Sequence, residues 1–476
     1  MLDFLSSIVS FGNTLLWSYI LIFLLISLGL LFSFKTNFVQ FRYLKEMISL
    51  LTEKAIGSKD NSESISSFQA FCISTASRVG TGNLAGVALA IAAGGPGAVF
   101  WMWLIALIGA ASSFIESTLA QIYKVKDKNG YRGGPAYYME QALGKRWMGI
   151  LFSILITLCF GLVFNAVQSN TISLAFKEAF GVNRSVMALV LAIITAGVIF
   201  GGVKRIAKVA ESIVPVMAIA YVIIAGFVIF KNIGQLPAIF SLIVGSAFGL
   251  KPAVGGAIGA ALMQGIKRGL FSNEAGMGSA PNAAATAEVT HPVKQGLIQT
   301  LGVFTDTIII CTSTAFMILI SGVYKQGELS GIQLTQNALS SQVGAWGNTF
   351  IAICILLFAF SSIIGNYYYG ETNIEFINTN SIYLLLYRVF VVFMVWFGGI
   401  AKIQIVWDMA DLFMGLMALI NLIAIFLLGK IAILALKDYK SQKDAGKNPV
   451  FSKHSIAGLE NVECWDDEHV KKLKAN

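Results

Sequence analysis

The 476 residues are 56% hydrophobic and only 12% charged, and they include 46 glycines. With glycine counted, about two thirds of the chain is apolar, against about 45–50% in soluble domains. That excludes a soluble globule or a disordered chain, and the net charge of +9 lies in clusters between apolar runs without the basic stripe that nucleic acid requires.

The first apolar run, residues 15–34, lacks a basic leader and a small-residue cleavage site, so it reads as a retained helix. Ten further runs of about 20 residues centre near Gly80, Leu107, Leu158, Ile193, Tyr221, Gln264, Ile309, Phe358, Phe390 and Asn421. The expectation is an all-α polytopic membrane protein with 11 spans. With the N-terminus outside and the C-terminus inside, 24 Lys and Arg fall on the cytoplasmic side and six on the outer side, as the positive-inside rule demands. Between spans one and two, Phe41, Leu44, Ile48 and Leu51 form one apolar stripe, predicting an interfacial helix.

The short N-terminus and absent processing signals suit a prokaryotic cell membrane. The predicted organisation is an N-terminal span with its interfacial helix (1–62), a core (63–436) and a polar, mobile cytoplasmic tail (437–476). Cys72, Cys159, Cys311 and Cys354 lie in apolar stretches and Cys464 in the tail, with neither metal-ligand nor disulfide spacing.

Glycine is concentrated in two places: six between 80 and 97, and eight between 249 and 278. Gly80-Thr81-Gly82-Asn83 falls at the middle of span two, where two glycines and an amide disfavour continuous helix. Span seven, with Lys267, Arg268, Ser272, Asn273 and Glu274, is too polar for an unbroken lipid-facing helix. Close helix packing also uses glycine and is the competing explanation for Gly86 and Gly94–Gly97. Broken helices at matching positions, five spans apart, predict a transporter of two inverted five-span repeats (63–232 and 250–436) plus one extra N-terminal helix.

Three stretches carry a family resemblance: Gly80-Thr81-Gly82-Asn83-Leu84-Ala85-Gly86-Val87, Gly94-Gly95-Pro96-Gly97-Ala98-Val99-Phe100-Trp101-Met102-Trp103, and Phe271-Ser272-Asn273-Glu274-Ala275-Gly276-Met277-Gly278-Ser279-Ala280-Pro281-Asn282-Ala283-Ala284. With Tyr368-Tyr369-Gly370-Glu371 they resemble the alanine or glycine:cation symporters, over roughly residues 10–435. The resemblance implies the five-plus-five amino-acid transporter fold, Na⁺ or less often H⁺ as coupling ion, and a small neutral amino acid as substrate.

A zwitterion held at mid-membrane needs donors for its carboxylate, and a broken helix exposes them. The backbone at Gly80, Thr81 and Gly82 and the Asn83 amide are therefore expected to bind the carboxylate, although Asn83 could equally be only a cap. The resemblance adds Gln168, Phe271, Ser272 and Asn273 to the substrate set. By the same analogy, the Ala76 and Val79 carbonyls with the Ser361 and Ser362 hydroxyls would ligate sodium, which wants hard oxygens. Serines in membrane helices also bond their own i−4 carbonyls, which is the plainer role.

Asp306 is a candidate for ion or proton coupling. Glu274 is expected to pair with Lys267 and Arg268, Glu116 to snorkel, and Asp408 and Asp411 to meet water. Alanine-type members of the family often read Gly-Trp-Ser-Tyr-Tyr-Gly-Glu in span nine. Here Gly365-Asn366-Tyr367-Tyr368-Tyr369-Gly370-Glu371 puts Asn366 in place of the indole, with room for a polar substrate such as glutamine.

No GxxxxGK[ST] is present for a nucleotide-driven pump, and the three histidines form no catalytic constellation, so an enzyme is not expected. Nor does the sequence signal an obligate protein partner or a further cofactor. A channel remains a competing class, because broken helices also line pores.

Overall fold

A computed structural model describes residues 2–53, 65–127, 130–250 and 258–466, without the side chains of 2–6, 202–204 and 403. The expected boundary at 62–63, and Lys54, Lys59, Lys251, Gly255, Gly256 and His469, lie outside the described residues. Among the described residues, eight helices are long and apolar enough to cross a membrane. They are Ser7–Lys35, Gly97–Ile122, Arg146–Phe180, Arg205–Lys231, Pro292–Ser321, Trp346–Ile377, Ser381–Ile400 and Gln404–Asp444. These correspond to expected spans one, three, four, six and eight to eleven. Span five is the shorter helix Arg184–Ile199, and spans two and seven are each broken. A further apolar helix, Leu236–Ala247, lies between spans six and seven.

Span two starts at Ser66, whose hydroxyl accepts from Gln69 N while the Gln69 side chain accepts from Ser66 N, a reciprocal cap. Its first half, Ser67–Arg78, stops at Val79. The second half resumes as a widened turn, Gly82–Gly86, and continues as Val87–Gly94. Span seven runs as helix from Ile258 to Asn273 and then breaks. Glu274, Gly276 and Gly278 take φ of 58°, 85° and 84° before the short helix Ala280–Ala284. The polar stretch from Gly265 thus stays helical, and the break falls at its end.

The widened segments Thr157–Phe164 and Phe304–Cys311 lie in spans four and eight, and such turns concentrate where side chains are re-aimed at functional sites. A two-stranded hairpin, Val125–Asp127 with Gly130–Arg132, follows span three. The interfacial helix is present as Val39–Arg42 and Leu44–Leu50. Val39, Met47 and Leu50 pack inward, while Phe41, Leu44 and Ile48 stay exposed, as an apolar face against lipid requires.

The expectation of an unattached tail does not hold. The last helix runs on to Asp444, and Phe451, Cys464 and Trp465 are buried against the hairpin face. Average polarity concealed three anchoring side chains.

Candidate functional site

The two breaks meet. A Cβ at Gly82 would lie 3.1 Å from both the Phe271 ring and Ser272 Cα, so any side chain there would have to push span seven aside. Around the break of span two, Asn83 Oδ1 accepts from Gly80 N at 2.9 Å, and Gln168 Oε1 from span four accepts from Thr81 N at 2.9 Å. Asn83 Nδ2 donates to Asp306 Oδ1 at 2.6 Å. Ser272 donates to the same carboxylate at 3.0 and 2.8 Å, and the Thr307 hydroxyl donates at 2.8 Å. Asp306 thus gathers spans two, seven and eight around one buried anion.

A second cluster sits beside it. Ser362 donates to Ala76 O at 2.9 Å and lies 3.4 Å from Val79 O. The two carbonyls freed by the break and one hydroxyl therefore share a point, and these are hard oxygens of the kind sodium takes. Ser362 also lies 3.1 Å from Phe358 O of its own helix, whereas the Ser361 hydroxyl bonds only that carbonyl, at 2.8 Å.

Asn273 folds its Oδ1 onto Ala275 N at 3.0 Å, capping the break. Asn366 approaches from span nine, with Oδ1 2.7 Å from the Ser77 hydroxyl, one turn below Gly80. The buried polar atoms near the breaks that have no hydrogen-bond partner include Thr81 Oγ1, Asn273 Nδ2 and Asn366 Nδ2. A polar ligand would relieve that deficit.

Above the site, Phe271 packs against Phe164 at 4.5 Å and Trp407 at 4.8 Å between ring centres. The Arg268 guanidinium lies 4.6 Å from the Trp407 ring centre and pairs with Asp411 at 2.7 Å, and Lys267 pairs with Asp411 at 3.2 Å. Span one braces this cover, with Trp17 Nε1 donating to Asp411 O at 3.2 Å. Below the site, Ile65 pairs with Ala287, and Glu288 N donates to Ile65 O at 3.0 Å. The site is therefore closed at both ends.

Three expectations are corrected here. Glu274 does not pair with Lys267 and Arg268. Its positive φ swings the carboxylate away from their helix face, to 2.7 Å from Ser77 Oγ and 2.6 Å from Ser279 Oγ. Asp411 is not at the water boundary, because the last helix already begins at Ile403 and carries it two turns inward, to 2% exposure. Glu116 does not snorkel: it is buried and accepts from Gly276 N at 3.0 Å, Gly278 N at 3.1 Å and Asn421 Nδ2 at 2.7 Å. A carboxylate thus satisfies the backbone donors that the break in span seven exposes.

Arg78 closes the first half of span two. It is buried and donates to the Gln299 carbonyl and side-chain oxygens, both at 3.2 Å.

Two broken helices meeting at a closed, polar, mid-membrane site define a multi-pass secondary transporter. The sodium:alanine symporter family matches residues 2–453, and the chain belongs to that family. It is a symporter-family membrane protein and not an enzyme. It is 63% identical over 465 residues to the "Probable sodium/glutamine symporter GlnT" of Bacillus subtilis, covering 98% of this chain and 97% of the relative. It is 58% identical to the "Amino-acid carrier protein AlsT" of the same organism, covering 98% and 99%. Among solved structures, a histidine-to-alanine mutant of the manganese transporter of Eremococcus coleocola shares the fold. Its TM-score is 0.52 at 12% identity, over 83% of this chain and 86% of that one.

Proposed function

We propose that the chain carries a small neutral amino acid, glutamine as well as alanine and glycine, into the cell together with Na⁺ by alternating access. The observation that carries this reading is the Ser362 Oγ, Ala76 O and Val79 O cluster next to the glycine break. Sodium bound there would tie span nine to the first half of span two. The substrate carboxylate would lie on the Gly80–Gly82 backbone, with Gln168, Phe271, Ser272, Asn273 and Asn366 around it. With the N-terminus outside, the Arg268–Asp411 cover faces out and the Ile65–Ala287 pairing faces the cytoplasm.

Uptake into proteoliposomes under imposed sodium and voltage gradients tests this. One Na⁺ per zwitterion moves one positive charge, so 100 mV inside-negative contributes about 2.3 kcal/mol. A tenfold sodium gradient adds about 1.4 kcal/mol, and together they support roughly 500-fold accumulation. Uptake that responds to voltage and pH but not to sodium would replace Na⁺ with H⁺.

The proton reading has one observation in its favour. The single proton of Ser77 faces two acceptors, Glu274 Oε1 and Asn366 Oδ1, at 2.7 Å each. Either Glu274 is protonated or Asn366 presents its amide nitrogen there.

A further inference from the structure

Residues 445–466 double back across the hairpin face instead of leaving it. Gly446, at φ 72°, ends the last helix and lets the chain turn. Gln442 clasps the returning backbone, donating to Val450 O at 3.0 Å and accepting from Val450 N at 2.9 Å. Phe451 N then donates to Thr290 O at 2.9 Å. The Phe451 ring stands edge-on to His291 and Trp465, with centres 5.2 and 5.3 Å away. Further along, Asn461 Nδ2 donates to Gln141 O at 3.0 Å, and Glu463 Oε1 accepts from Lys126 N at 3.0 Å.

The last anchor is Trp465, fully buried, whose Nε1 donates to Gln121 O at 3.0 Å and whose ring centre lies 5.1 Å from the Lys124 ammonium. Gln121 and Lys124 pin the segment after the break in span seven to the end of span three. Gln121 Nε2 donates to Ala284 O at 2.5 Å and Ala287 O at 2.9 Å, and Lys124 Nζ donates to Ala287 O at 2.9 Å. Ala287 is the residue paired with Ile65, immediately before the cap of span two. Opening toward this face requires Ser67–Arg78 to part from the segment after the break in span seven, which separates Ile65 from Ala287. While Trp465 covers Gln121 and Lys124, water cannot reach them to replace the bonds that pin Ala284 and Ala287 to span three, so the tail opposes movement of that segment away from Ile65.

We propose that residues 446–466 are a strap that holds the transporter shut on the hairpin face and lifts each time the site opens there. The proposal rests on alternating access, which the uptake assay examines separately. Gln141 and Asn461 are both accessible at the strap's edge. In the full-length variant carrying Gln141→Cys and Asn461→Cys, a short bis-maleimide should bridge the strap to its seat. Bridged protein, verified by peptide mass spectrometry, should lose sodium-dependent alanine uptake by about tenfold or more, while a monofunctional maleimide leaves it intact. Full uptake by the bridged protein would overturn the proposal.

The unmodified protein supplies an independent measurement, because Cys464 lies within the strap and is fully buried while the strap is seated. Burial also pushes its thiol up to about 11, which leaves little reactive thiolate. Alanine added to sodium should speed N-ethylmaleimide labelling of Cys464 about tenfold, as the strap lifts with turnover. Equal rates with and without alanine, in protein that transports, would show the strap to be static. Protein that does not transport at all counts against the symport reading instead.

Discussion

Ser362 and Ser361 both reach Phe358 O of their own helix, at 3.1 and 2.8 Å, but only Ser362 also reaches across 286 positions of sequence to the Ala76 carbonyl, at 2.9 Å. Adjacent residues on a helix point about 100° apart, so only one of an adjacent pair can face span two. The hydroxyl aimed at the break is the one placed to exchange a hydrogen bond for a cation.

The two serines should therefore separate in sodium titrations of uptake. Ser362→Ala removes one hard oxygen and should raise the half-saturating sodium concentration about tenfold, the effect of roughly 1.4 kcal/mol. Ser361→Ala should stay within about twofold, since an i−3 bond in a helix contributes little. Equal effects of the two would remove Ser362 from the ion site.

Gly80 and Gly82 make a second prediction. A Cβ at Gly80 would overlap the Ser362 hydroxyl, and one at Gly82 would press on Phe271 and Ser272. Gly80→Ala should weaken sodium and substrate together. Gly82→Leu should abolish alanine binding in an equilibrium assay while the purified protein keeps its helical content. Retained binding by Gly82→Leu would move the carboxylate away from this backbone.

The break in span two was legible because two glycines and an amide fall together at the middle of the span, in Gly80-Thr81-Gly82-Asn83, where continuous helix is disfavoured. The partners of charged groups were not legible. Lys267 and Arg268 are close to Glu274 in sequence, yet helix geometry points them to Asp411, 144 and 143 positions away. Glu116 finds Gly276 across 160 positions, which local sequence spacing does not encode. Ser361 and Ser362 looked equivalent until helix phase was fixed. Phe451 and Trp465 could not be recognised as anchors because their seats come from Thr290 and Gln121.

Asp411 neutralises two cations at once, with side-chain exposure of only 3%. Removing one partner of a buried ion pair typically costs about 3–5 kcal/mol, because the remaining charge loses its compensation. Asp411→Asn should fall in that range by thermal unfolding in detergent, since it strands both Lys267 and Arg268. Arg268→Met should cost less, because Lys267 still answers Asp411. If Asp411→Asn unfolds at the wild-type temperature, the cluster is solvated and does not seal the site.

Lys124 offers a pH test. Burial lowers its ammonium from the usual value of 10.5 to about 8, against weaker opposing effects of Cys464 and Glu288. Between about pH 8 and 10.5 the unfolded chain then binds more protons at this site than the folded one, so stability rises with pH across that window. The full shift is worth roughly 3 kcal/mol. Wild-type protein should gain stability relative to Lys124→Met as pH rises from 7 to 10. A constant difference between the two would mean that the ammonium is hydrated.

Asn366 is the residue on which substrate choice should turn. In the first of the two arrangements at Ser77, Asn366 keeps its Oδ1 against that hydroxyl at 2.7 Å and its Nδ2 is buried without a partner. An unpaired buried donor costs about 1–3 kcal/mol until something accepts from it, and the carboxamide oxygen of glutamine can do so. Alanine has no side-chain acceptor to offer, so the amide should favour the longer substrate by about tenfold in competition, within the range that one buried hydrogen bond supplies. Unlabelled glutamine should therefore displace labelled alanine at lower concentration than unlabelled alanine does. Asn366→Trp fills the space and removes the amide, so glutamine competition should fall while alanine and glycine uptake persists. Asn366→Ala separates the two effects, since it keeps the room but loses the donor. Glutamine competition that is unchanged in both variants would assign Asn366 to helix packing through Ser77 alone.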